Sequence, residues 1–291
     1  MSVEQNIRLA RTSLMTGPTL HYAQQGDRSG EPIIFLHGYS DSWFSFSRVL
    51  PLLSPEYHAF ALTQRGHGDS DKPQCCYTPK DFAADVDAFM DAVRIEEATL
   101  VGASTGALFA QRVVMSYPHR VDRLVLVGAQ TPANEANEAV MGLQEEVRAL
   151  EDPVPPEFVR AFQESTIYQP VPQEFLDTVV SESLKLTARV WRDYLEGAVL
   201  SIDHDYVLAL GEIDVPTLIL WGEQDPLFPR EEQERLAAAI PGATLKVYPE
   251  TGHAVHWDRP EWVVRDLEEF MKETRPARWS FVTDRELPRT P

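Results

Sequence analysis

The sequence predicts an α/β protein with a mainly parallel sheet, interrupted once by a helical block. Three observations lead there. Over the first two-fifths of the chain, short apolar runs of the buried-strand type alternate with stretches of helical period. That rhythm stops after "VDRLVLVG" and resumes at "DVPTLILWGEQDP". Between them, residues 131–211 hold no convincing strand, only helical segments parted by the proline clusters "DPVPPEF" and "QPVPQEF". Residues 1–130 and 212–291 are therefore expected to form one core, and 131–211 an inserted helical cap.

Near the start, "TLHYAQQG" alternates and reads as an edge strand. Pro32–Gly38, "PIIFLHG", is a continuous apolar run of the kind a strand covered on both faces shows. Trp43–Leu53 reads as a helix, and His58–Leu62 as a strand that runs into a glycine-rich loop. In "TPKDFAADVDAFMDAVRI" a proline sits just inside the start, and Phe82, Val86, Phe89, Met90 and Val93 recur at helical spacing. "ATLVG" is the next strand, Ala107–Tyr117 the next helix, stopped by Pro118, and "VDRLVLVG" the strand after it. Beyond the block come the strand in "DVPTLILWGEQDP", a helix over Arg230–Ile240, a strand in "ATLKVYPETGH" and a helix from Pro260 to about Lys272. Strands and helices alternating in this way imply right-handed crossovers. The polar tail, 273–291, carries no periodicity.

The 291 residues are 43% hydrophobic and 24% charged, enough for a full α/β core. A net charge of −19 repels phosphate backbones and anionic lipid, so neither nucleic acid nor a membrane surface is an expected partner. No apolar run reaches the roughly 18–20 residues of a membrane span. "MSVEQNIRLARTSL" lacks the apolar core of a secretory signal, and a cytoplasmic location is expected. Cys75 and Cys76 are adjacent and are expected as reduced thiols; no metal-ligand spacing is present, and no cofactor is expected.

The chemistry is read from "LVGASTGALFAQRVV", where Ser104 stands between Gly102 and Gly106 at the join of a strand and a helix. A serine helix cap would explain the serine alone. A sharp turn that exposes a nucleophile also explains the glycines, because flanking side chains would collide with the neighbouring strand and helix. Such a serine needs a base, and the base needs an orienting acid, in the chain order Ser, Asp/Glu, His. Asp225 ends "LILWGEQDP", and His253 follows the next strand in "LKVYPETGHAVHW". An Asp-Pro turn and a loop histidine would explain each singly, but not both in that order. Glu223 and His256 are the competing residues; an extended strand would point Glu223 elsewhere, and His256 lies nearer the last helix. Oxyanion donors are expected from the N–H groups of Thr105, after the serine, and Tyr39, in "LHGYSDSW". His37 in that loop reads as structural.

Together "HGYSDSW", "RGHGDSDKP", "VGASTG", "GEQDP" and "GHAVHW" resemble the α/β-hydrolase superfamily, in its cap-bearing members, over about Thr19 to Lys272. That resemblance implies an eight-stranded sheet, a helical lid after the sixth strand and a site between lid and sheet. Many relatives carry His or Asn where Ala103 sits, a bulkier residue at Thr105, and an aspartate where this chain has Thr63-Gln64. A serine at the turn, where relatives acting on epoxides and haloalkanes have aspartate, implies an acyl-enzyme formed from an ester or lactone. The block carries many aromatics and no cationic cluster, so its substrate is expected to be apolar, neutral and of medium size. Tyr39, Phe158, Phe162 and Trp191 are the expected substrate-binding residues. Carbon–carbon bond hydrolysis, cofactor-free perhydrolysis and a slow-turnover receptor would share these motifs. Monomer and homodimer are both open.

Overall fold

A computed structural model of the chain describes residues 7–129, 138–200 and 204–275. Its centre is one eight-stranded sheet in the order β1-β2-β4-β3-β5-β6-β7-β8. The strands are β1 (Arg8–Ser13), β2 (Thr19–Gly26), β3 (Pro32–Leu36), β4 (His58–Thr63), β5 (Ala98–Ala103), β6 (Val121–Val127), β7 (Thr217–Gly222) and β8 (Thr244–Tyr248). β2 pairs antiparallel with β1 and β4; every pairing from β4 through β8 is parallel.

Alternate residues of each central strand feed opposite sides of the sheet. On β5, Leu100 joins the core made with α1 (Pro79–Val93) and α2 (Thr105–Ser116). Its neighbours Val101 and Ala103 join the core made with α10 (Pro260–Glu273). Both faces are covered, which is why these strands read as continuous apolar runs. α1 begins on a capping box, in which Thr78 and Asp81 exchange side-chain and backbone bonds, with Pro79 inside it. Arg65, in the loop after β4, makes a buried two-point bond to Asp85 of α1, both distances 2.6 Å.

Three expectations need correction. The edge strand is β1, and "TLHYAQQG" lies second; β1 is largely exposed and so carries no apolar signature. Trp43–Leu53 is not one helix but two 3₁₀ turns, Trp43–Phe46 and Leu50–Leu52. Pro51 has no N–H for the fourth residue back, and its ring would strike that carbonyl. Cys75 and Cys76 are joined by a disulfide; the chain at Cys76 takes the left-handed region, φ 74°, and folds the two neighbours together.

Between β6 and β7 the described residues are helical: α3 (Glu138–Arg148), α4 (Pro156–Ser165), α5 (Gln173–Ser183), α6 (Ala188–Tyr194) and α7 (His204–Ala209). α6 runs on through a π turn, Leu195–Val199, in which Leu200 N–H bonds Leu195 O at 3.0 Å. α8 (Arg230–Ala239) follows β7, and α9 (Val255–Asp258) follows β8. The expected boundary at 130/131 and most of the tail lie outside the described residues. No helix among those described is long and apolar enough to cross a membrane.

Candidate active site

β5 delivers Ser104 at its C-terminal end, with φ 52° and ψ −119°, a conformation an L-residue adopts only when the surroundings hold it there. The surroundings do so through close backbone contact. A Cβ on Gly102 would stand 2.3 Å from the Gly106 carbonyl oxygen, and one on Gly106 would stand 2.2 Å from that of Leu36. Ser104 N–H is held by Val127 O of β6 at 2.9 Å. Ser104 is the N-cap of α2, so the Thr105 N–H opens that helix with no partner inside it.

Asp225 and His253 meet. His253 Nδ1 lies 2.9 Å from Asp225 Oδ2, and both side chains are almost completely buried. Asp225 Oδ1 accepts the N–H groups of Leu227 at 2.8 Å and Phe228 at 3.1 Å, so the carboxylate is aimed before the histidine arrives. With Nδ1–H given to Asp225, the His253 Nε2 is left as an acceptor. Phe228 packs its ring 5.5 Å from that imidazole. Glu223 is exposed. His256 is buried, on α9, and its Nε2 lies 2.8 Å from Ser45 Oγ.

Ser104 and His253 line one cavity, together with Gly38, Tyr39 and Thr105. The helical block supplies its roof: Val140, Leu143, Phe162, Leu195 and Val199. No lysine or arginine lines it among the described residues. His37 is fully buried below the loop; its Nδ1–H bonds Gly38 O at 2.8 Å and its Nε2 accepts Gln64 N–H at 3.0 Å. Burial lowers its pKa to about 4, against that bond to Gly38.

Of the four expected substrate-binding residues, Tyr39 and Phe162 face the cavity and Trp191 and Phe158 do not. Trp191 stands behind Tyr39: their rings are 4.9 Å apart, and the Tyr39 hydroxyl bonds Trp191 O at 2.6 Å. Phe158 packs on the far partner, 5.3 Å from Trp191. These two rings join the block to itself and to the loop after β3. Residues that sequence reasoning left out also face the cavity, chiefly Asp41, Gln163 and the apolar pair Leu227 and Phe228. Asp41 lies in "HGYSDSW", two residues past Tyr39 and between two serines, where nothing in the sequence sets it apart from an ordinary loop carboxylate. Tyr194 holds the Thr105 hydroxyl at 2.6 Å.

A mostly parallel sheet with a strained serine at the end of a central strand, and a buried Asp–His pair in the loops after two later strands, is the arrangement of a class of hydrolytic enzymes. The chain belongs to the α/β-hydrolase family: a family model for the alpha/beta hydrolase fold matches residues 31–260. Among curated relatives, it is 27% identical over 270 residues to a 2-hydroxy-6-oxononadienedioate/2-hydroxy-6-oxononatrienedioate hydrolase of Paraburkholderia xenovorans, covering 87% of this chain and 90% of that one. Among solved structures, an esterase from Exiguobacterium antarcticum superposes with a TM-score of 0.80 at 24% identity, over 90% of this chain and 99% of that one. A bromoperoxidase from Bacillus anthracis does so with 0.81 at 20%, over 91% and 100%.

Proposed function

We propose that the protein is a serine hydrolase that cleaves a carboxylic ester or lactone of an apolar, neutral, small to medium compound through an acyl-enzyme. The observation that carries this reading is the meeting of Asp225 and His253 at 2.9 Å, with His253 lining the same cavity as Ser104. In this reading Ser104 Oγ attacks the acyl carbon as its proton passes to His253 Nε2. Asp225 holds the imidazolium that forms. The developing oxyanion takes the N–H groups of Tyr39 and Thr105. His253 returns the proton to the departing alkoxide, and water then attacks the acyl-enzyme by the same route. The helical block acts as a cap, its apolar roof positioning the acyl chain and excluding water.

The named substrate of the Paraburkholderia relative is a dicarboxylate. A cavity with no lysine or arginine among its described lining, and with Asp41 in it, opposes a dianion and favours a neutral ester. The test is Ser104→Ala measured with p-nitrophenyl butyrate. Turnover should fall on the order of 10⁴–10⁶-fold with the fold intact, as losses of such nucleophiles do. Activity within tenfold of the unchanged protein removes Ser104 from the role.

A further inference from the structure

The cavity roof is apolar, but one wall is not. Asp41 from the loop after β3, Gln163 of α4 and His256 of α9 face it together, at 6%, 1% and 4% exposure. Catalysis as proposed uses none of them. The wall is also close to the acyl site. A Cβ built on Gly38 would lie 3.1 Å from Ser104 Cβ and 3.6 Å from Asp41 Oδ2, so those two atoms are at most 6.7 Å apart.

The wall is short of protons. Gln163 Nε2 donates to Asp41 Oδ1 at 3.0 Å, yet its two hydrogens are also within reach of Ser40 Oγ at 3.1 Å and Ser183 Oγ at 2.9 Å. Ser45 Oγ lies 3.1 Å from Asp41 Oδ2 and 2.8 Å from His256 Nε2, and it already receives the Trp257 Nε1–H at 3.0 Å. Ser45 gives its one proton to Asp41 Oδ2, so the proton of its contact with His256 is the Nε2–H, which leaves Nδ1 of that ring a bare acceptor. His256 Nδ1 has no partner within the protein. Buried polar atoms are normally all paired, and a set left incomplete at the edge of a ligand cavity is one that a ligand completes.

We infer that Asp41, Gln163 and His256 form a specificity site for a hydroxyl group on the acyl chain of the substrate. This rests on the hydrolase reading of Ser104. A hydroxyl gives one bond and takes one, which matches a wall with spare acceptors and a shared donor. A carboxylate would meet Asp41 in a dry site. An ammonium would be stripped of water against a carboxyl that burial already holds up, to about 7, against the opposing bonds of Ser45 and Gln163 and the nearby His253. His256 stays neutral beside it, because burial and His253 lower its pKa to about 3. A hydroxyl on the third acyl carbon falls inside the distance set by Ser104 Cβ and Asp41 Oδ2, allowing about 2.7 Å for its own hydrogen bond.

The test separates binding from turnover. Ethyl hexanoate and the two enantiomers of ethyl 3-hydroxyhexanoate are titrated calorimetrically into Ser104→Ala, which cannot consume them. One enantiomer should bind about tenfold tighter than the plain ester, the gain of one buried hydrogen bond to an acidic group. Adding Asp41→Ala should bring that ratio below about threefold. Equal, weaker or undetectable binding of both enantiomers overturns the inference, and so does a preference that survives Asp41→Ala. The first comparison needs no change at Asp41, so a poorly folding double variant does not shelter it. Hydrolysis of the same esters by the unchanged protein is followed in a pH-stat. Tight binding of the hydroxy ester without its hydrolysis leaves the inference standing and sinks the esterase reading. Hydrolysis of all three esters with equal binding does the reverse.

Discussion

Gly222 ends β7, three residues before Asp225, and the structure says that it cannot bear a side chain. A Cβ there would stand 2.1 Å from the Gly252 carbonyl oxygen and 2.4 Å from that of Thr251. Atoms of that kind do not approach closer than about 3 Å, so strand and loop must part by roughly 1 Å. The loop is poorly placed to give way. Gln224 N–H bonds Thr251 O at 2.9 Å, Thr251 N–H bonds Gln224 Oε1 at 2.8 Å, and Gly252 N–H bonds Asp258 Oδ2 at 2.7 Å. His253 is the next residue, so the movement goes straight into the Asp225–His253 contact. Overpacking of this size costs about 1–3 kcal/mol, or a fall of roughly 2–5 °C in Tm for a chain of this length. Displacing a catalytic group by about 1 Å costs on the order of a hundredfold in rate. Gly222→Ala should therefore show both losses, by scanning calorimetry and by kcat on p-nitrophenyl butyrate. Gly142→Ala is the control: it is exposed on α3 with nothing within 4 Å of the new Cβ. Alanine there should raise stability by up to about 1 kcal/mol, as helix propensity requires. A Gly222→Ala protein with unchanged Tm and kcat would refute the reasoning.

Asp225→Asn should lower kcat about a thousandfold or more by losing the tautomer that points Nε2 at Ser104, whereas Glu223→Gln, on the surface, should stay within about twofold; the opposite ranking moves the acid to Glu223. Phe162→Ala should raise KM for long acyl esters more than for acetate, while Phe158→Ala should lower Tm and leave that ratio alone; a shift of the ratio with Phe158→Ala would place it at the substrate after all. Stability should fall on acidification below pH 6.5. The folded pKa values of His37, His67 and His256 all lie below the unfolded value, chiefly through burial, so the unfolded chain takes up three protons that the fold refuses. Asp41 acts the other way and retains one proton in the fold up to about pH 7. For these four groups the net of two protons contributes a slope of up to about 3 kcal/mol per pH unit between roughly pH 6 and 5; the lowered pKa values of His21 and His58 act in the same direction, and the raised one of Asp258 opposes them. A Tm that is flat or rises over that interval contradicts the burial of these rings.

What could be read in advance, and what could not, follows from how far each feature depends on distant chain. β3, β5, β6 and β7 are covered on both faces, and burial of nearly every residue leaves a largely apolar run in the sequence itself. Ser104 and Asp225 are legible because each sits just past such a run, and His253 because it follows the next strand in the chain order that the serine demands. β1 left no trace because its backbone bonds to β2 while its side chains face water. The loop after β3 was legible as a loop; its 3₁₀ continuation was not, because the apolar residues on either side of Pro51 read as one helix. The aromatics of the helical block failed for another reason. Phe158, Phe162 and Trp191 all lie on apolar stripes, and a stripe does not say whether it faces a cavity or another helix. The more informative signal was the opposite one. Val159 and Gln163 share one face of α4, and Gln163 is a long polar side chain on the buried side, 1% exposed. Desolvating such an amide costs free energy unless bonds offset it. A glutamine in that position is therefore a stronger pointer to a polar site than any of the aromatics around it. Its partners could not be named beforehand, because Ser40 and Asp41 lie more than a hundred residues away, and only the closure of the block over the sheet brings them within reach.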